Sequence, residues 1–256
     1  AFTLMSTGVA YDVLGEWQKS LDLYTQARAI YLENADRRGE AIILNLLGQA
    51  FRKQGDVRQA LEHLQKALVL WRGLGNRREE ATTLELLGLT ESQQGRTSQA
   101  LEYYQQALKL WREVGDRRGE AQTLQSLGDL QAATEPANAM SSYERAIALV
   151  RNVGDLSLQA SVLTSVANLH LAQGAPEKSA ASAQQALTLL SKTSYPAFEA
   201  QALYVLARAE RALSNFAAAR EHSAAALNKI EALRAAGNQQ LRASYLATKQ
   251  NFYELH

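Results

Sequence analysis

A period of 40 residues runs through this chain. The segment Asp36-Arg37-Arg38-Gly39-Glu40-Ala41 returns as Asn76-Arg77-Arg78-Glu79-Glu80-Ala81 and again as Asp116-Arg117-Arg118-Gly119-Glu120-Ala121. Leu47-Gly48, Leu87-Gly88 and Leu127-Gly128 keep that spacing, as do Ala27, Ala67 and Ala107, which continue as Ala146, Ala186 and Ala226 after a one-residue deletion. Self-similarity at this period restricts a chain to repeat architectures, in which each unit buries its apolar face against its neighbours. Six repeats follow, 1–40, 41–80, 81–120, 121–159, 160–199 and 200–236, and residues 237–256 break the pattern.

Within one repeat the apolar residues describe two helices. In the second repeat Leu44, Leu47, Gly48 and Phe51 fall on one helical stripe, and Ala60, Leu64 and Ala67 on another. Gly55 between them suits a left-handed helix end. Small residues at Gly48, Ala60 and Ala67 let the axes approach, with Leu64 and Phe51 filling the gap. Pro136 and Pro176 fall at turns inside repeats and Pro196 between repeats, where helices stop. Asn76 with Glu79 predicts a capping box. Ala, Leu, Gln, Glu and Arg, all helix formers, dominate the composition. The predicted fold is therefore all-α, a solenoid of about six antiparallel helix pairs over 1–236 with a capping or connector helix over 237–256.

Leu44, Leu47, Gly48, Phe51, Ala60, Leu64 and Ala67 sit at the spacing of the tetratricopeptide consensus. Leu4, Gly8, Tyr11, Tyr24 and Ala27 match it in the first repeat, and Leu84, Leu87, Gly88, Ala100, Tyr104 and Ala107 in the third. The 40-residue period resembles the long-helix branch of that family, as in kinesin light chain and the GoLoco-binding polarity scaffolds. The resemblance implies a right-handed superhelical solenoid whose first helices line a concave groove. Ala167 and Ala207 replace the glycine, and Ala183 and Ser223 the aromatic, so thinner packing is expected toward the C-terminus. The stretch Ile230–Arg234, Leu241–Tyr245 and Asn251–Leu255 is similar to the connector that follows such arrays in bacterial proteins ending in a caspase-like CHAT domain. Ala1 aligns with Ala41, inside a first helix, as expected of a piece of a longer array.

In the groove that the resemblance implies, the outward positions of the first helices carry Asn45, Gln49 and Arg52, then Glu85 and Leu89, then Gln122, Gln125 and Asp129. Thr164 and Asn168 follow, then Tyr204 and Arg208. Ile42, Lys53, Gln201 and Arg211 flank them. Amide side chains both donate to and accept from an extended peptide, and Arg52, Arg208 and Arg211 could hold carboxylates bidentately. The first repeat presents Phe2, Met5, Val9 and Val13, which suit an apolar anchor, a neighbouring repeat or a second copy. The Lys and Asn clamp of chaperone-binding relatives is not reproduced. The arginine pairs at 37–38, 77–78 and 117–118 have acids within four residues, which predicts local pairing between adjacent repeats.

Other chemistry finds little support. The net charge of +1 exerts no global pull on nucleic acid or an anionic membrane. No run approaches a membrane span, and Ala1–Met5 lacks the features of a secretory leader. The chain has no cysteine, which suits a reducing compartment. His63, His170, His222 and His256 lack metal-ligand spacing, and His170 takes the slot of Phe51 and Tyr11, which predicts a packed core histidine. No phosphate-cradling glycine loop occurs. The reading is a cytoplasmic, non-enzymatic protein-interaction module without a cofactor, whose partner is a protein or peptide rather than nucleic acid or membrane. It would form the sensing or scaffolding arm of a larger signalling or protease-like protein. The alternatives are a freestanding adaptor and a structural array that self-associates through its ends.

Overall fold

In the computed structural model, residues 1–13, 15–192 and 195–236 are described. They form twelve helices and no strand: α1 (Phe2–Val13), α2 (Trp17–Glu33), α3 (Arg37–Gln54), α4 (Val57–Leu74), α5 (Arg77–Gln93), α6 (Thr97–Glu113), α7 (Arg117–Gln131), α8 (Pro136–Val153), α9 (Leu156–Ala172), α10 (Pro176–Leu190), α11 (Pro196–Ala212) and α12 (Phe216–Ala236). The helix expected over 237–256 lies outside the described residues.

Short polar residues start these helices. Asp36, Asp56, Asn76, Asp116 and Asp155 each accept a hydrogen bond from the backbone N–H three residues on, at 2.8–3.3 Å, which satisfies one of the amides a helix start leaves open. Pro136, Pro176 and Pro196 occupy the first turns of α8, α10 and α11, where a missing N–H does no harm. Gly55 ends α3 at φ +84°, a conformation that disfavours any side chain.

The chain divides into two bodies, residues 1–123 and 124–256. In the first, α1, α3 and α5 pack against their partners α2, α4 and α6, and each pair packs on the next through α2–α3 and α4–α5. Close approach depends on glycine. A Cβ at Gly48 would lie 2.5 Å from Leu64 Cγ, and one at Gly88 would lie 2.5 Å from the Tyr104 ring. The core runs through Tyr24, Ile43 and Leu47, then Ala41, Leu44 and Trp71, then Leu64, Leu84, Leu87 and Trp111.

In the second body α9 packs on α10, α10 on α11, α11 on α12 and α9 on α11. Ala167 and Ala183, at the positions held earlier by glycine and a large side chain, are both fully buried in one cluster with Val205 and Leu206. The pair exchanges a glycine and a ring for two methyl groups. His170 is half-buried, which corrects the expectation of a core histidine. Burial lowers its pKa, with the nearby Lys178 charge acting in the same direction. No helix of the described residues is long and apolar enough to cross a membrane.

Candidate interaction faces on the first helices

The side chains expected to face a ligand divide into those locked between helices and those left facing outward. Asn45 on α3 is 6% exposed and accepts a hydrogen bond from Thr83 Oγ1 on α5 at 3.0 Å. Forty residues on, Glu85 holds the same place on α5: it is 6% exposed and accepts from Thr123 Oγ1 at 3.2 Å. Thr123 in turn accepts from Trp111 Nε1 at 3.1 Å, so a buried polar thread runs from α6 through α7 to α5. A neutral amide and a carboxylate thus occupy equivalent seams. The second carboxylate oxygen of Glu85 has no hydrogen-bond partner among the described residues. Burial pushes its carboxyl up to about 7, against the Thr123 bond and the Arg118 charge, which favour ionisation.

Gln49 and Leu89 are half-buried, and Leu89 leans on the core cluster of Leu84 and Trp111. Arg52, one turn beyond Gln49 on α3, is half-buried as well, and its Nε is sealed from solvent without a hydrogen-bond partner among the described residues. Burial is the main influence on its pKa and lowers it. Gln49 and Arg52, adjacent on α3, and Leu89 on α5 belong to the outward remainder of the predicted first-helix positions in this body. On α1, Phe2 is 71% exposed, while Met5 packs against the core of Tyr24 and Leu47.

In the second body Gln125 on α7 donates to Ser161 Oγ at 2.9 Å and Ser165 Oγ at 3.1 Å on α9. Asp129 accepts from the Tyr143 hydroxyl at 2.7 Å. Burial and the neighbouring Asp129 charge raise the Tyr143 pKa far above its ordinary value. Thr164 is buried and bonds its own helix at Ala160 O, 2.9 Å. Asn168 donates to Thr164 O at 3.2 Å and accepts from Arg208 Nη1 on α11 at 3.3 Å. The Arg208 guanidinium also stands 5.7 Å from the centre of the half-buried Tyr204 ring. Gln122, in the first body, is exposed.

The charged signature of the repeats makes a second set of links. Glu40, Glu80 and Glu120 are each held by an arginine near the end of the preceding helix, Arg28, Arg72 and Arg112, at 3.2, 2.9 and 2.6 Å. Arg78 reaches Asp116 in the next repeat at 2.8 Å. The arginine pairs thus account for only part of the pairing, and arginines outside the signature supply most of the partners of the position-40 acids. Sequence reasoning passed over both this clip and the thread of Trp111, Thr123 and Glu85, although every member recurs at the period or is chemically matched there. Two open clefts, of about 400 Å³ beside Gln159 and Leu189 and about 230 Å³ beside Arg77 and Lys109, include none of the predicted groove residues. Among the described residues no group of His, Asp and Glu could hold a metal ion.

The tetratricopeptide repeat family matches this sequence at residues 3–73, 40–113 and 79–152. No curated protein matches it. Among solved structures, BtubC (BKLC) from P. vanneervenii superposes with a TM-score of 0.67 at 19% identity, covering 82% of this chain and 88% of its own. Aspartyl phosphate phosphatase F from Bacillus subtilis gives 0.68 at 19% identity, over 93% of this chain and 60% of its own. The Rap conjugation gene regulator of plasmid pLS20, solved with the Phr* peptide, gives 0.68 at 20% identity, over 93% and 64%. At these identities the likeness is one of fold.

Proposed function

Because the chain belongs to the tetratricopeptide-repeat family, we propose that it is a binding module rather than an enzyme, and that it takes a protein or peptide segment on the outward faces of its first helices. The observation that carries this reading is Arg52. Its half-buried guanidinium has an Nε that is sealed from solvent and has no hydrogen-bond partner among the described residues, which is unfavourable. A ligand carboxylate on the other guanidinium nitrogens would offset the cost of holding that charge partly out of water. Gln49 beside it on α3 supplies further donors and acceptors, and Leu89 on α5 an apolar contact. The Phr* peptide bound by one protein of similar fold lends support.

A random peptide library displayed on phage and selected on the immobilised protein tests the reading. Peptides recovered should lose binding to the Gln49→Ala, Arg52→Ala, Leu89→Ala triple variant and keep it on Gln65→Ala, Val69→Ala, which alters an exposed face of α4. The opposite pattern would move the site off the first helices.

The connector similarity at 230–255 supports a finer reading, the array as the sensing arm of a polypeptide that also carries a caspase-like domain. An intact mass in source cells near that of this chain, 28.1 kDa, would leave a freestanding adaptor instead. The exposed Phe2 and Val9 on α1 favour self-association as the second reading. Light scattering at rising concentration should then show growth that Phe2→Ser with Val9→Ser abolishes, and a constant monomer mass would refute it.

A further inference from the structure

On α11, Tyr204, Arg208 and Arg211 follow one another at four and three residues, so they share one face. No carboxylate among the described residues pairs with either arginine. The acids of the same helix are engaged elsewhere: Glu199 with Lys229 on α12, and Glu210 with the Asn215 side chain. Arg208 is held from two sides, with the Tyr204 ring below its guanidinium at 5.7 Å and Asn168 Oδ1 on one Nη1 at 3.3 Å. Asn168 is itself oriented by donating to Thr164 O. A guanidinium fixed in this way has lost side-chain freedom before any ligand arrives, and most of its five donors remain available.

Building on the proposal that the first-helix faces bind a protein segment, we propose that the α11 face with Asn168 of α9 is a receptor for an extended segment carrying acidic side chains at alternate positions. The spacing selects this ligand. Side chains three residues apart on a helix stand about 5–6 Å apart at Cβ. Alternate side chains on one face of an extended chain recur at about 6.6 Å. Two carboxylates in that arrangement can meet Arg208 and Arg211 together, each in the bidentate geometry that suits a guanidinium. A chain-end carboxylate supplies one anion and leaves the second arginine unmet.

The test titrates the full chain, labelled at arginine Nε with nitrogen-15, with short peptides in physiological salt. One peptide alternates aspartate and alanine and is amidated at its C-terminus; the second has asparagine for every aspartate; the third is the asparagine peptide with a free C-terminus. The Nε–Hε signals of Arg208 and Arg211 should both move with the first and stay with the other two. Arg208→Lys, which keeps the charge and loses the fork, should weaken binding about tenfold with helicity unchanged. Equal movement with the amidated asparagine peptide, or movement only with the free chain end, overturns the alternating-acid ligand. Shifts at Gln49, Arg52 or Leu89 without Arg208 overturn it too and leave the wider binding reading standing. If nothing moves with the aspartate peptide, this face is no acid receptor, and the library selection alone then decides the wider reading.

Discussion

Replacing Glu85 by glutamine removes a titratable group from a seam where the equivalent residue one repeat earlier is the neutral Asn45. Burial moves the Glu85 carboxyl from its ordinary 4.5 to about 7, a shift of roughly 2.5 units at 1.36 kcal/mol per unit, so about 3 kcal/mol. The folded-state pKa lies above the unfolded one, so the unfolded chain ionises first as pH rises. Stability from this group is complete below about pH 4.5, falls between about 4.5 and 7, and is flat above. Between pH 5 and pH 8 the wild type should lose about 2.5 kcal/mol relative to Glu85→Gln by the same linkage. The tryptophans Trp17, Trp71 and Trp111 all lie in the first body, so urea unfolding followed by their fluorescence reads the part that contains the seam. The variant should match the wild type near pH 4.5 and pull ahead progressively to pH 7. A difference that does not change with pH would refute the buried titration. So would a carbon-13 carboxyl titration of Glu85 with a midpoint near 4.5.

Thr123→Val should raise the Glu85 midpoint further, since it deletes the bond that favours ionisation, and should cost about 1–3 kcal/mol by leaving Trp111 Nε1 and a Glu85 oxygen unpaired; carboxyl titration and thermal melting check the two effects. Gly88→Ala drives a Cβ to 2.5 Å from the Tyr104 ring and should destabilise by about 1–3 kcal/mol, whereas Gly73→Ala in α4 meets nothing within 4 Å and should gain about 0.4–1 kcal/mol. Asp36→Ala removes the bond to Gly39 N and should lose about 1 kcal/mol. Ala175→Asp at the uncapped start of α10 should gain a similar amount in the same denaturant assay.

Packing is what the repeat displays most openly. Gly48 beside Leu64, Gly88 beside Tyr104, the Asp caps and the three prolines are dictated by contacts within one helix pair, and the glycine contact recurs at Gly8, Gly48, Gly88 and Gly128. The pairs of helices could be placed from those residues alone. The fate of the outward polar side chains is less legible, because it depends on the neighbouring repeat. Asn45 and Gln49 are both polar residues on the same face of α3, four residues apart, yet the first is sealed under Thr83 and the second is half-buried without a comparable seam bond among the described residues. Hydrophobic periodicity carries no information on which polar residue finds a threonine across a seam. A usable signal did exist: Trp71 and Trp111, Thr83 and Thr123, and Asn45 and Glu85 share the 40-residue step, and polar residues that keep a structural period are candidates for structural bonds. Arg28 escaped for a related reason, since it grips Glu40 from a different helical turn than Arg72 and Arg112 use for Glu80 and Glu120.

The clip and the threonine bond across the seam make the joints of the first body interchangeable parts. Excising residues 77–116 would splice Asn76 to Arg117 and bring Asn45 and Arg72 against Thr123 and Glu120, replacing Thr83 and Glu80 with residues of the same kind. Each severed partnership would find its counterpart waiting one step further along. A gene that loses or duplicates this 40-residue cassette keeps a working joint, so the array can change length in single steps while every intermediate still folds.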